Sequence, residues 1–371
     1  EDASLDDESS RLRQIDAARR FLAWNSPRSV YRRVMGTAPD DEPTAELVVT
    51  TCGMLLLPML TIDPGRIVVL AHIILREALR HGPSPHAGTG FLMWALLVSQ
   101  RNGPLHVRYR LGTYARSVAD AAPENPGRAT ARHTIYSYSA VFCLHWQVDH
   151  RELAGELRTL HEEGIRLANY EWASHAAHIY CQSLFFGGEP LSTVFETMQF
   201  YRNRMEEVGI KRVATALGKF QQAAECLLGS TEDPMELTGS ITNDAALLEE
   251  MKRSEDILGY AGYVLLKGLL AAYDGHPERD FENWKLFLDR SASVNSLYPV
   301  TVVWFLYGLA AWQNGEKAIG RRALRQSRRF GTHASGPHRI RALSAEQSRC
   351  NGRHRRAEGL YRRASREAVE D

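Results

Sequence analysis

Signals that stop a helix recur about every twenty residues along this chain, and the segments between them are patterned as helices. The clearest stretch runs from His145 to Tyr201. Three helical patterns stand nearly end to end there, broken at Leu167–Tyr170 and at Phe186-Gly187-Gly188-Glu189-Pro190-Leu191. Glycine releases a helix into a left-handed turn, and proline is tolerated in a first helical turn, so Gly187-Gly188 ends one helix and Pro190 starts the next. Similar breaks stand at Gly82-Pro83-Ser84-Pro85, Asn102-Gly103-Pro104, Pro123–Gly127, Gly209, Gly229, Asp274-Gly275-His276-Pro277, Asn314-Gly315 and Asn351-Gly352. Gly187 and Gly229 lie 42 residues apart, Gly275 and Gly315 40, Gly315 and Gly352 37. Two helices in each such interval is the period of stacked helical hairpins.

No segment reads as a strand. Val48-Val49 and Val302-Val303 are β-branched but lie within helical periodicity. The run Ala357-Glu358-Gly359-Leu360-Tyr361-Arg362-Arg363-Ala364 looks like the second helix of a tetratricopeptide repeat, with a small residue first and an aromatic fifth. The expected fold is therefore all-α, a right-handed alpha-solenoid of TPR-like helical hairpins. Four regions are expected. Residues 1–43 form an acidic tail and an N-terminal helical segment, and 44–229 a first helical-repeat array. Residues 230–256 form an irregular connection with one short helix near Ala245–Met251. Residues 257–371 form a second array with a basic end.

Local signals sharpen this. Ser26-Pro27 ends the first helix. The loop Gly36–Pro43, with two prolines and three acids, reads as solvated and mobile. Thr44 opens a buried helix ending near Pro58, and Asp63-Pro64 reads as an N-cap with proline at the first helical position. That helix runs to Arg80-His81-Gly82, and later helices are expected over Phe281–Val294, Pro337–Cys350 and Arg353–Val369.

Composition excludes several classes. The chain has 371 residues, 44% apolar and 24% charged, as in an ordinary folded protein. Its five cysteines, Cys52, Cys143, Cys181, Cys226 and Cys350, are odd in number, far apart and without a CxxC. That pattern points to buried thiols in a reducing compartment, and a cytoplasmic location is expected. The chain opens on acids where a secretory signal carries positive charge. The longest apolar runs, Leu47–Leu60 and Ile67–Leu75, fall short of the roughly 20 residues a membrane-spanning helix needs.

The sequence offers no complete reaction centre. Gly82–Gly90 lacks the spacing and the lysine of a phosphate loop. His161-Glu162-Glu163-Gly164-Ile165 begins like a zinc-protease helix but lacks the second histidine. Asp6-Asp7-Glu8 and Asn243-Asp244 do not complete the magnesium motifs of a helical terpene cyclase, and no GxSxG occurs. No catalytic, cofactor-binding or metal residue is therefore assigned. One alternative is an all-helical metal-dependent enzyme or small-molecule binder using His145, His150, His175 and His178, since His175, His178 and Cys181 are spaced three apart on one helix.

Charge is unevenly placed. The net charge is +1, yet Glu316–Asp371 holds 15 Lys or Arg against 6 acids. Arg321, Arg325, Arg329, Arg353, Arg356 and Arg363 mark a candidate basic surface for a protein or peptide partner. Nucleic acid is not the expected partner, because a solvated helix face explains such charge more often.

The chain resembles the helical, TPR-like region of multidomain signalling ATPases. In these a serine/threonine-kinase-like domain and a P-loop ATPase precede the helices, and a GAF domain and a histidine kinase often follow. The matching runs are Leu57-Pro58 with Asp63-Pro64, Arg80-His81-Gly82 with Ser84-Pro85, and Tyr109-Arg110-Leu111-Gly112. Further on they are His145-Trp146, Asn169-Tyr170-Glu171-Trp172-Ala173, Tyr180-Cys181 and Phe185–Leu191, then Glu232-Asp233-Pro234 and Leu237-Thr238-Gly239. The resemblance covers roughly residues 55–369. It departs where Gln147-Val148-Asp149 replaces the family's Arg-Glu-Pro. It carries over no catalytic residue. It implies a non-catalytic sensor and protein-interaction module that binds a partner or small effector and regulates an attached or associated ATPase or kinase.

Overall fold

The computed structural model describes residues 2–40, 42–101, 103–148, 150–254, 257–276, 279, 284–285 and 296–330. Among the described residues there are sixteen α-helices and no strand. The protein is all-α. None of these helices is long and apolar enough to cross a membrane. Two compact units are distinguished, residues 1–144 with 159–173, and residues 145–158 with 174–371.

The first unit begins with α1 (Asp2–Trp24) and α2 (Pro27–Gly36). Ser26 caps α2 by accepting from the Ser29 N–H through its hydroxyl, and Pro27 fills the first turn, so the pair that ends α1 also starts α2. Next come α3 (Pro43–Met54) and α4 (Leu56–Ile62). The single buried helix expected from Thr44 to Pro58 is thus two helices, and Leu47 and Met54 are 66% and 70% exposed. Pro58 explains the break: it has no N–H to give the Met54 carbonyl four residues back, and its ring crowds that carbonyl.

Asp63 does not cap a helix through its side chain. A single 3-10 turn, Pro64–Arg66, precedes α5 (Ile67–His81), and the Asp63 carboxylate instead accepts from Arg11 at 2.6 Å and Arg66 at 3.0 Å. Two cations outcompete a backbone N–H for one carboxylate.

Then follow α6 (Gly88–Gln100), α7 (Leu105–Ala121) and α8 (Arg128–Phe142). Each packs on the next, α6 also touches α8, and α1, α2 and α3 lie against α5. Every residue of α6 from Gly88 to Leu96 is buried. A helix apolar all round can only be central. Its approach to α7 is close: a Cβ on Gly88 would stand 2.5 Å from the Ala115 carbonyl oxygen. Tyr31 stacks on Tyr114 at 4.2 Å, and Phe91 meets both edge-on.

Two helices carry residues of both units, α9 (His150–Arg166) and α10 (Tyr170–Gly187). The second unit continues with α11 (Leu191–Glu207), α12 (Lys211–Leu227), α13 (Asp244–Ser254), α14 (Ile257–Tyr273), α15 (Pro299–Gln313) and α16 (Lys317–Phe330). Here α11 packs on α12, α12 and α13 on α14, α14 on α15, and α15 on α16. Gly209 and Gly229 end α11 and α12 at φ +79° and +74°, a conformation that L side chains rarely adopt.

The connection between α12 and α13 lies within this second unit and is pinned. Gln222 Oε1 accepts from the Ile241 and Thr242 N–H groups at 3.1 Å each, and its Nε2 donates to Glu225 Oε2 at 2.7 Å. Glu225 also accepts from the Ser240 N–H and hydroxyl. Burial raises the Glu225 pKa, but these hydrogen bonds outweigh it and leave the carboxyl below its ordinary value. From α14, Lys267 donates to the Met235 carbonyl at 2.8 Å and pairs with Asp244 at 2.9 Å. Apart from Trp284 and Lys285, the expected helix over 281–294 lies outside the described residues, as do those over 337–350 and 353–369 with the run Ala357–Ala364.

Candidate functional site

A groove of about 360 Å³ opens at one edge of the first unit. Three connections line it: the one after α2 (Pro39, Asp40, Glu42), the one after α5 (Gly82–Pro85) and the one after α7 (Pro123–Asn125). Short connections make α6 antiparallel to both α5 and α7, so the ends of α5 and α7 meet at the same edge. Glu46 and Val49 of α3 and Glu77 and His81 of α5 complete the lining.

The loop after α2 is largely exposed, as its prolines and acids suggest, and Asp40 joins it to α5. The Asp40 N–H donates to the His81 carbonyl at 3.3 Å, and His81 Nδ1 lies 3.0 Å from both Asp40 carboxylate oxygens. His81 Nε2 stands 3.7 Å from Glu77, which also meets Arg76 and Arg80. Asn125 donates to Glu46 Oε1 at 2.7 Å, joining the third connection to α3 across 79 positions of sequence. Glu124 pairs with Arg128. The result is a slot with proline rims and carboxylate acceptors at Asp40, Glu42 and Glu46, which suits a cationic group such as a lysine or arginine side chain. Nothing in the sequence reading found it, because Asn125, which joins its third connection to Glu46, lies 79 positions away in sequence.

A second groove, of about 480 Å³, lies in the second unit over α11, α12 and the start of α13. Arg202, Lys211, Glu206, Glu250, Thr242 and Asn243 give it mixed charge.

Of the basic surface expected at the C-terminal end, Arg321 and Arg325 are exposed on α16. Arg329 is half-buried, and burial lowers its pKa. Arg328, one residue earlier, takes the exposed place in line with Arg321 and Arg325. Arg353, Arg356 and Arg363 lie outside the described residues.

The four histidines stand in different surroundings. His145 is buried in the 3-10 turn Leu144–Trp146, with its ring 4.3 Å from that of Trp146. The side chain of His150 lies outside the described residues. His175 Nε2 is 3.5 Å from the Arg212 guanidinium. His178 takes the Gln182 amide at 2.9 Å and meets Phe220 edge-on. Burial first, then the neighbouring His175, Lys219 and Arg212, lowers the His178 pKa to about 3. Among the described residues no group of three His, Cys, Asp or Glu is placed to hold a metal ion. Cys52, Cys143, Cys181 and Cys226 are buried free thiols, and burial pushes Cys143 up to about 12.

No family model matches the chain, and no curated protein and no solved structure matches it significantly.

Proposed function

We propose that this protein is a helical-repeat interaction and sensor module, a right-handed α-solenoid of TPR-like hairpins that binds a protein partner or effector on its repeat surface. The observation that carries the reading is the groove at the edge of the first unit. Connections of successive hairpins converge there, and Asp40–His81 and Asn125–Glu46 hold them together. In repeat proteins the loops of successive repeats gather on one face, which is often the binding face. Neighbour-on-neighbour packing from α5 to α8, with the α6–α8 contact, supports the same reading. The resemblance to signalling ATPases adds an output, in which occupancy of the module biases an attached or associated ATPase or kinase in the cytoplasm.

The alternative, a metal-dependent site around His145, His150, His175 and His178, has less support. Arg212 beside His175 and the cations that depress the His178 pKa oppose a bound dication.

The groove is tested with short arginine-bearing peptides and hydrogen exchange read at residues 37–42 and 82–85. Saturable binding that slows exchange there, and that Asp40→Asn with Glu46→Gln weakens about tenfold, is the expected result. Unchanged exchange with every cationic peptide at about 1 mM removes the groove as the binding site.

A further inference from the structure

In the second unit, α16 has no acid anywhere between Lys317 and Phe330, and six of its fourteen residues are Lys or Arg. Lys317, Arg321, Arg325 and Arg328 are all exposed and recur at steps of four, four and three, which places them on one stripe. The stripe is about 16 Å long at 1.5 Å per residue. The ion pairs found among the described residues include none of these four. Like charges one turn apart repel, so the stripe is a row of cations held in register by the buried side of the helix that adjoins it. Gly320, Ala323, Leu324 and Ser327 are buried on that side, and the space at Gly320 is filled by the Trp312 indole of α15.

We propose that this stripe docks an acidic helix of a partner protein. Carboxylates spaced i, i+4 and i+7 on a facing helix repeat at the same rise as the arginines, so each guanidinium meets one acid. A membrane surface fits less well, because Ala323 and Leu324 of α16 are buried and not free to insert. Single-stranded nucleic acid needs exposed aromatic platforms. Trp304 and Trp312, which touch α16, are both buried, and Trp304 lies under the Arg322 guanidinium at 5.4 Å. A net charge of +1 supplies no long-range attraction to a polyanion. The inference concerns a different surface from the groove of the first unit and stands if that groove binds nothing.

The test uses the full chain and a fluorescein-labelled synthetic helix bearing glutamates at i, i+4 and i+7, read by anisotropy. A scrambled peptide of equal charge, an oligothymidylate and vesicles containing phosphatidylserine serve as competitors. Arg321→Gln with Arg325→Gln and Arg328→Gln should weaken the spaced peptide about tenfold, while the charge-matched control Arg13→Gln with Arg20→Gln and Arg32→Gln should change it less than about twofold. All six residues are exposed, so both variants should keep native helicity by circular dichroism. Equal binding of the scrambled peptide, an unchanged affinity in the α16 variant, or tighter binding of the oligonucleotide or vesicles overturns the proposal.

Discussion

The side-chain amide of Asn169 donates to Nδ1 of His133 at 2.9 Å, and Nε2 of His133 in turn donates to the Leu160 carbonyl at 2.8 Å. The imidazole is fully buried between α8 and the α9–α10 turn, and both ring nitrogens are satisfied only in the neutral Nε2–H form. Asn169 also donates to Thr134 Oγ1, while its own N–H donates to the Gly164 carbonyl. Replacing Asn169 with alanine removes these side-chain bonds and leaves Nδ1 dry. A loss of about 1–3 kcal/mol in urea unfolding is expected. Retained stability would mean that water reaches the ring.

Histidines that fold in the neutral form make the protein acid-sensitive. Burial lowers the pKa of His72, His86 and His133, and burial with neighbouring cations takes His178 to about 3. The folded pKa lies below the unfolded one near 6.5, so the unfolded chain binds more protons in acid. The contribution is intact above about pH 6.5 and is lost as pH falls toward the folded values. For His178 the loss at pH 5 is on the order of 2 kcal/mol. His178→Gln should flatten the pH dependence of the urea midpoint between about pH 7 and 5. An unaltered slope would show that His178 is charged in the fold.

Gly164 lies against the same ring. A Cβ there would stand 2.6 Å from His133 Cε1 and 2.8 Å from the Ala173 Cβ. Gly164→Ala is therefore expected to destabilise by about 1–3 kcal/mol despite alanine's higher helix propensity. Gly155→Ala, on the same helix with open space around the added carbon, should be neutral or stabilising. Equal effects at the two positions would contradict this packing.

The pinned connection after α12 makes a local prediction. Gln222→Ala would release the Ile241 and Thr242 N–H groups together. Amide exchange at these two positions should quicken by at least about tenfold, with the core of α12 unaffected. Exchange that stays slow would mean that Glu225 and Lys267 suffice to hold the segment.

Thiol chemistry tests the burial directly. Four of the five cysteines are buried, so a maleimide should label at most one site per native chain, Cys350, and all five in urea. Fast labelling of Cys143 or Cys181 in native buffer would contradict their burial.

Helix ends were the legible part of the sequence. Gly187-Gly188 ends α10 and Pro190 precedes α11, as their chemistry dictates. Two readings failed, the single helix from Thr44, which Pro58 breaks, and the Asp63 cap, which depends on a distant partner. Asp63 looks like a cap until Arg11, 52 positions away, claims its carboxylate. The connection after α12 is irregular with one short helix, as read, and what the sequence does not show is that Gln222 and Lys267 on flanking helices pin it. The edge groove is invisible for the same reason. Its walls meet only once α5 and α7 end side by side, and a list of residues does not contain that adjacency.

Residues 159–173 belong to the first unit, although residues 145–158 before them belong to the second. They bring Asn169 to His133, and Trp172 to Tyr138 with rings 5.3 Å apart. During synthesis the first unit therefore cannot close over Tyr138 and His133 when Leu144 leaves the ribosome. It waits for Ala173, and so for a stretch it will not keep. A ribosome pausing within that interval would leave the nascent unit with an open seam, where a chaperone has its opportunity to bind.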